Sequence, residues 1–199
     1  MTESHAAALT ARAMPQIRYA RSSGARIAFR GTGAGPVDVV MVPGLLSHLE
    51  MDWQNPSYRR FSLSPARACR LIQFDKRGTG LSDPTAGLPT IAERMDDLLA
   101  IMTAARSRRA VVFALSEGTR PAIALAVAHP ERILGLALYG TEDHSLPHTR
   151  RMRALQSALA HWGEGRILDI YAQASQPTRC ASERVLSNVQ PPVRRWLVH

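Results

Sequence analysis

Four short runs of nearly unbroken apolar residues punctuate the chain: VDVVMV (37–42), CRLIQFD (69–75), AVVFAL (110–115) and RILGLALYG (132–140). Each has the length and β-branched content of a strand buried on both faces. Two runs precede them. QIRYARSS (16–23) alternates polar and apolar positions, and ARIAFRGTG (25–33) reads as a second strand. The glycine-rich GTGAGP (31–36) that follows leads into another strand, whereas a dinucleotide-binding loop must open a helix, so it is expected to be a hairpin connection.

Between the strands the period changes to that of a helix. SYRRFSLSPARA (57–68) can supply a short one. In TIAERMDDLLAIMTAA (90–105), Ile91, Met95, Leu98, Leu99 and Met102 fall on one face, and Thr90 with Glu93 spells a capping box. RPAIALAVAHP (120–130) is apolar nearly all round, as an interior helix is, with Pro121 in its first turn, where no N–H is missed. Strands alternating with helices predict an α/β fold: a mostly parallel sheet with helices on both faces. Beyond Gly140, HTRRMRALQSALAHWGEG (148–165) and RILDIYAQA (166–174) look helical, and no further buried strand is read before the final PPVRRWLVH (191–199). The expected organisation is a loose tail over 1–14, a core over 15–145 and a partial helical cap over 146–199, with the sheet truncated before its final strands.

Composition narrows the function classes. A hydrophobic fraction of 45% suits a globular protein. No apolar run approaches the roughly 18 residues of a membrane helix, so no membrane association is expected. The net charge of +9 comes almost wholly from arginine, Lys76 being the sole lysine. Those arginines are scattered as Arg59-Arg60, Arg108-Arg109, Arg150-Arg151 and Arg194-Arg195, without a basic helix or an aromatic RNA-binding motif. They read as solvated surface, against a nucleic-acid partner. Cys69 and Cys180 have no metal-type spacing and suit a reducing cytoplasm. His144 and His148 are four apart, but Pro147 between them breaks the helix that would align them on a metal. No metal and no cofactor are therefore expected.

The chemistry concentrates in VVFALSEGTRP (111–121). A serine between a buried strand and a helix is lifted above the sheet by the tight turn, which needs small residues two before and two after it. Ala114 and Gly118 occupy those positions. Ser116 is thus the candidate nucleophile, and the N–H of Glu117 at the helix start would face a developing oxyanion. The second donor is expected from the loop after the first buried strand, VPGLLSH (42–48), where Gly44 permits close approach and Leu45 carries the N–H.

Taken in order, VPGLLSHLEMDW, LIQFDKRGTGLSD, TIAERMDDLLAIM, FALSEGTRP and ERILGLALYGT resemble the N-terminal part of an α/β-hydrolase, over roughly residues 16–165. More narrowly, they are similar to the hydrolase-like domains that actinomycetes fuse to class III adenylate cyclases or LuxR-type regulators. The resemblance implies serine-nucleophile hydrolysis of an ester or related acyl substrate. It also implies that Asp75, Arg77 and Gly78 match the family's loop, where charge pairing and a glycine turn give them a structural role. The family's order is serine, acid, histidine. Glu142 or Asp143 can be the acid or simply a solvated loop, and none of the later histidines, His129, His144, His148, His161 and His199, is placed by a strand as the base. The chain is accordingly expected to be impaired as an enzyme, with an exposed sheet edge open to a protein partner. The alternative is a non-catalytic module that senses a ligand.

Overall fold

The computed structural model describes residues 13–141 and 194–197. Within them a seven-stranded sheet runs in the order β1-β2-β4-β3-β5-β6-β7, where β1 is Arg18–Ser22, β2 Ala25–Thr32, β3 Asp38–Val42, β4 Arg70–Phe74, β5 Ala110–Leu115, β6 Ile133–Tyr139 and β7 Arg194–Leu197. The pairs β1–β2 and β2–β4 are antiparallel and the other four are parallel, so the expected mostly parallel sheet is present. Helices α1 (Leu49–Gln54) and α2 (Pro56–Leu63) lead from β3 to β4. Helix α3 (Ile91–Ala104) leads from β4 to β5, and α4 (Thr119–Ala128) from β5 to β6. The chain moves one way across the sheet from β3 to β4 and the other way from β4 to β5 and β6. Right-handed crossovers then place α1 and α2 on one face and α3 and α4 on the other.

The side chains follow this layering. On one face Met41, Cys69 and Leu71 form a cluster that Tyr58 of α2 covers together with Phe113, and the Phe61 ring of α2 lies 6.4 Å from that of Phe113. On the other, α3 packs against α4, and Leu98, Ile101, Met102 and Leu125 are fully buried. The α3 stripe is rotated from the one expected: Ile91 is exposed and Ile101 buried, because the helix also buries Asp97 for an ion pair. The capping box is present, with Glu93 N donating to Thr90 Oγ1 at 3.2 Å and Thr90 N donating to Glu93 at 2.8 Å.

Two expectations are corrected. GTGAGP is not a hairpin connection, since β4 lies between β2 and β3. Its glycines answer a different need: a Cβ on Gly33 or Gly35 would run into the main-chain oxygens of Ala66 or Ala68, where the loop crosses the segment entering β4. The sheet's hairpin is instead β1–β2, turned by Ser23 and Gly24, both at positive φ. The second correction is β7, which pairs in parallel with β6 although no strand is read there from the sequence. This four-residue strand, with the sequence RRWL, lacks the apolar run by which the four buried strands are read, so the sequence pattern does not announce it.

At the start of β3, Asp38 receives two 2.7 Å hydrogen bonds from the Arg70 guanidinium on β4. Those bonds, opposed by partial burial, hold its carboxyl below the usual range. A carboxyl with a depressed folded pKa stabilises the fold above its unfolded pKa and loses that contribution as pH falls through the folded value. The urea midpoint is therefore expected to fall on acidification below about pH 4, the ordinary aspartate range. Asp38→Asn is expected to flatten that limb, as urea titrations at several pH values will show.

Candidate active site

β3 and β5 are parallel neighbours in register, Val42 beside Ala114, so the segments leaving their C-terminal ends emerge side by side. From β5 the chain turns at once through a single 3₁₀ turn, Ser116–Gly118, into α4. Ser116 has φ +49°, one of three non-glycine residues at positive φ among those described. A serine in the left-handed region costs about 1–3 kcal/mol unless its surroundings impose it. They do so here: Ala114 is fully buried before it, and Thr119 Oγ1 donates to Ser116 O at 2.7 Å after it. The serine itself remains partly accessible, and no described side chain hydrogen-bonds to its hydroxyl.

The β3 loop lies directly against this corner. A Cβ on Gly118 would stand 2.5 Å from Pro43 O and 2.9 Å from Val42 Cγ1, and one on Gly44 would stand 3.4 Å from the Ser116 Cβ. Gly118→Ala must therefore push the serine turn and the β3 loop apart. It is expected to cost about 1–3 kcal/mol in overpacking. It should also lower any Ser116-dependent rate by the roughly 10²-fold that an ångström of misplacement brings, measured as the rate of acylation at Ser116. Leu45, one residue past Gly44, is exposed, as is Leu46.

A third segment closes on the other two. Asp75, fully buried at the end of β4, accepts from Leu49 N at 3.0 Å and Leu81 N at 2.9 Å. Gly80 has φ +54° and no room for a Cβ, because the Asp75 carboxylate occupies that space. Ser82 Oγ ties the loop back by donating to Asp75 O at 2.6 Å while accepting from Ala28 N at 2.9 Å. Arg77 reaches Asp97 of α3 at 2.6 Å and the carbonyl of Ser22 at 3.2 Å. Gly78 turns at φ +77°. Asp75, Arg77 and Gly78 thus make structural contacts in this loop.

Lys76, between those anchors, points to the serine corner. Its ammonium donates to Leu45 O at 2.7 Å and to Glu117 Oε1, and Arg94 of α3 stands 3.5 Å from the same carboxylate oxygen. Burial lowers the lysine's pKa, with Glu117 opposing that shift. Beneath this cluster Val42, Phe74, Leu98, Gly118 and Pro121 help to line a cavity of about 20 Å³. That is room for one water and far too little for an acyl substrate. Sequence reading registers Lys76 only as the sole lysine and misses Arg94, because both answer to Glu117, which is distant from them along the chain.

The described residues bring together Ser116, Leu45 and Glu117 as segments meeting at one corner. Glu142, Asp143, His144, His148, His161 and His199 lie outside the described residues. His129 caps α4 and stands 3.2 Å from Glu131. Among the described residues no group of three or more His, Cys, Asp or Glu side chains could hold a metal, and no helix is long and apolar enough to cross a membrane.

Comparison with known proteins agrees with this architecture. A Caulobacter sp. (strain K31) protein named for carbamate hydrolysis, RutD, is 35% identical over 83 residues, 41% of this chain. The chain aligns with only 31% of that relative's length. Among solved structures, an enol-lactonase from Burkholderia xenovorans LB400 superposes with a TM-score of 0.62 at 20% identity, over 90% of this chain and 80% of that one. An α/β-hydrolase from Sphaerobacter thermophilus DSM 20745 superposes with a TM-score of 0.59 at 26% identity, over 88% of this chain and 66% of that one. A family model described as alpha/beta hydrolase fold matches residues 39–171. With more than half of its residues under that model, the chain belongs to the α/β-hydrolase family.

Proposed function

We propose that this chain carries serine-nucleophile hydrolysis of a small ester or related acyl substrate. The observation that carries the reading is the left-handed backbone of Ser116 at the β5–α4 corner, pressed against the Gly44 segment. A strained serine held partly accessible at such a corner is the arrangement that exposes a hydroxyl for attack. In the proposed reaction Ser116 Oγ bonds to the acyl carbon, and the carbonyl oxygen takes up negative charge. The amides of Leu45 and Glu117 receive that charge, and the leaving group departs to give an acyl-enzyme that water hydrolyses. The serine's proton goes to a general base, and Asp143 or Glu142 is the proposed acid that orients it. Relatives named for carbamate and lactone chemistry act, by those names, on acyl carbons, which supports this substrate class.

The test is a fluorophosphonate probe on the folded protein. A covalent adduct on the peptide containing Ser116 is expected by mass spectrometry; a folded protein that stays unlabelled ends the reading.

The second reading is a module that binds an acyl ligand without turning it over, as a domain derived from a regulator-linked hydrolase would. It is favoured by one observation: neither described histidine, His48 nor His129, hydrogen-bonds to Ser116. It requires ligand binding that survives Ser116→Ala. Cysteine usage supports a cytoplasmic setting, and the strand edges support a protein partner along the sheet.

A further inference from the structure

We propose that Lys76, the chain's only lysine, is a positioning residue that assembles the oxyanion pocket by bridging its two halves. The inference rests on the reading of Ser116 as nucleophile and deepens it. The amides of Leu45 and Glu117 come from different segments, one after β3 and one after β5. Strand pairing and the packing of Gly44 on Ser116 bring the two segments together, but Leu45 and Glu117 themselves lie beyond the paired residues of β3 and β5. Leu45 is exposed and lies outside any helix or strand, and Lys76 holds its carbonyl, in the peptide next to the one that carries its N–H. Lys76 supplies the missing tie. An ammonium carries three donors in a compact head. Here one goes to Leu45 O and another to the Glu117 carboxylate.

The lysine can serve as a fixed point because its own backbone is locked. Ser47 Oγ accepts from Lys76 N at 3.0 Å, Thr79 Oγ1 donates to Lys76 O at 2.9 Å, and Ser47 and Thr79 hydroxyls meet at 2.7 Å. Ser47 belongs to the same loop as Leu45, so the loop is tied to Lys76 at both the main chain and the side-chain tip. The lysine side chain is 12% exposed and the glutamate side chain 22%. In such a setting the ion pair is screened far less than on an open surface. Arg94 approaches Glu117 from α3 but makes no hydrogen bond to Leu45, so the bridging role falls to Lys76 rather than to cationic charge in general.

The experiment compares the full-length protein with Lys76→Met, Lys76→Arg and Arg94→Ala. Two readouts are taken: amide hydrogen exchange over the 43–48 loop and residue 117, and p-nitrophenyl butyrate kinetics. For Lys76→Met, exchange in those segments is expected to rise about tenfold or more, as for a backbone released from its anchor. Its kcat is expected to fall roughly 10–100-fold with KM within about threefold, the signature of donors that act on the transition state. Lys76→Arg keeps charge and donors and should recover most of that loss. Arg94→Ala removes the second cation at Glu117 without touching Leu45 and should lose clearly less kcat than Lys76→Met. If Lys76→Met does not fold, Lys76→Gln gives the same comparison. Unchanged exchange, unchanged kcat, a loss confined to KM, or an equal loss in Arg94→Ala would each overturn the role. A wild-type protein that never reacts at Ser116 overturns it together with the parent reading; a reactive wild type with an equally reactive Lys76→Met overturns the lysine's role alone.

Discussion

Replacing Ser116 with alanine is expected to lower kcat for a short p-nitrophenyl ester by at least about 10³-fold and to abolish fluorophosphonate labelling. The magnitude follows from what is removed. The neighbouring hydroxyl at the β5–α4 corner, that of Thr119, is buried and donates to Ser116 O, and without a nucleophile no acyl-enzyme forms. The fold should be untouched: alanine suffers the same left-handed strain as serine, and no described side chain hydrogen-bonds to the lost hydroxyl. The urea midpoint of the variant should therefore match the wild type within error. A variant that keeps its esterase rate would show that hydrolysis occurs elsewhere, and one that loses midpoint and rate together would show the serine to be structural.

The largest expected effect on stability comes from Arg77→Ala. The Arg77 and Asp97 side chains are 7% and 4% exposed and meet at 2.6 Å. Removing the arginine leaves a carboxylate on α3 buried without its partner, and also strips a donor from the carbonyl of Ser22 on β1. Breaking such a pair from one side costs about 3–5 kcal/mol, against a total stability of about 5–15 kcal/mol for a domain. Urea unfolding should report that loss directly. The double replacement Arg77→Leu with Asp97→Leu should be much milder than Arg77→Ala, because it removes both charges and leaves none unpaired. A single-variant loss under about 1 kcal/mol would mean that water reaches the site and solvates Asp97. Since Arg77 adjoins Lys76, the same substitution should also loosen the serine corner, and partial loss of labelling should accompany the drop in midpoint.

What could be read along the chain depends on how local each feature is. The capping box of α3 needs only Thr90 and Glu93, three residues apart, and it is present as written. The four buried strands announce themselves through uninterrupted apolar runs, and Ser116 through the small residues at 114 and 118. The rest is set by neighbours distant in sequence. Gly33 and Gly35 look like turn glycines until Ala66 and Ala68 are seen crossing them. The buried stripe of α3 shifts because Asp97 answers Arg77. RRWL becomes a strand only because β6 offers it an edge.

The alternation of the four buried strands with α3 and α4, the serine at its tight turn and the small residues that flank it were therefore determined by the sequence alone, through periodicity, turn chemistry and short-range spacing. The tertiary structure decided which loops meet at that serine, and that Lys76, Glu117, Arg94 and Leu45 form one cluster. Those four residues span positions 45 to 117, and nothing in a one-dimensional pattern records that a half-buried ammonium finds its acceptors across such a distance.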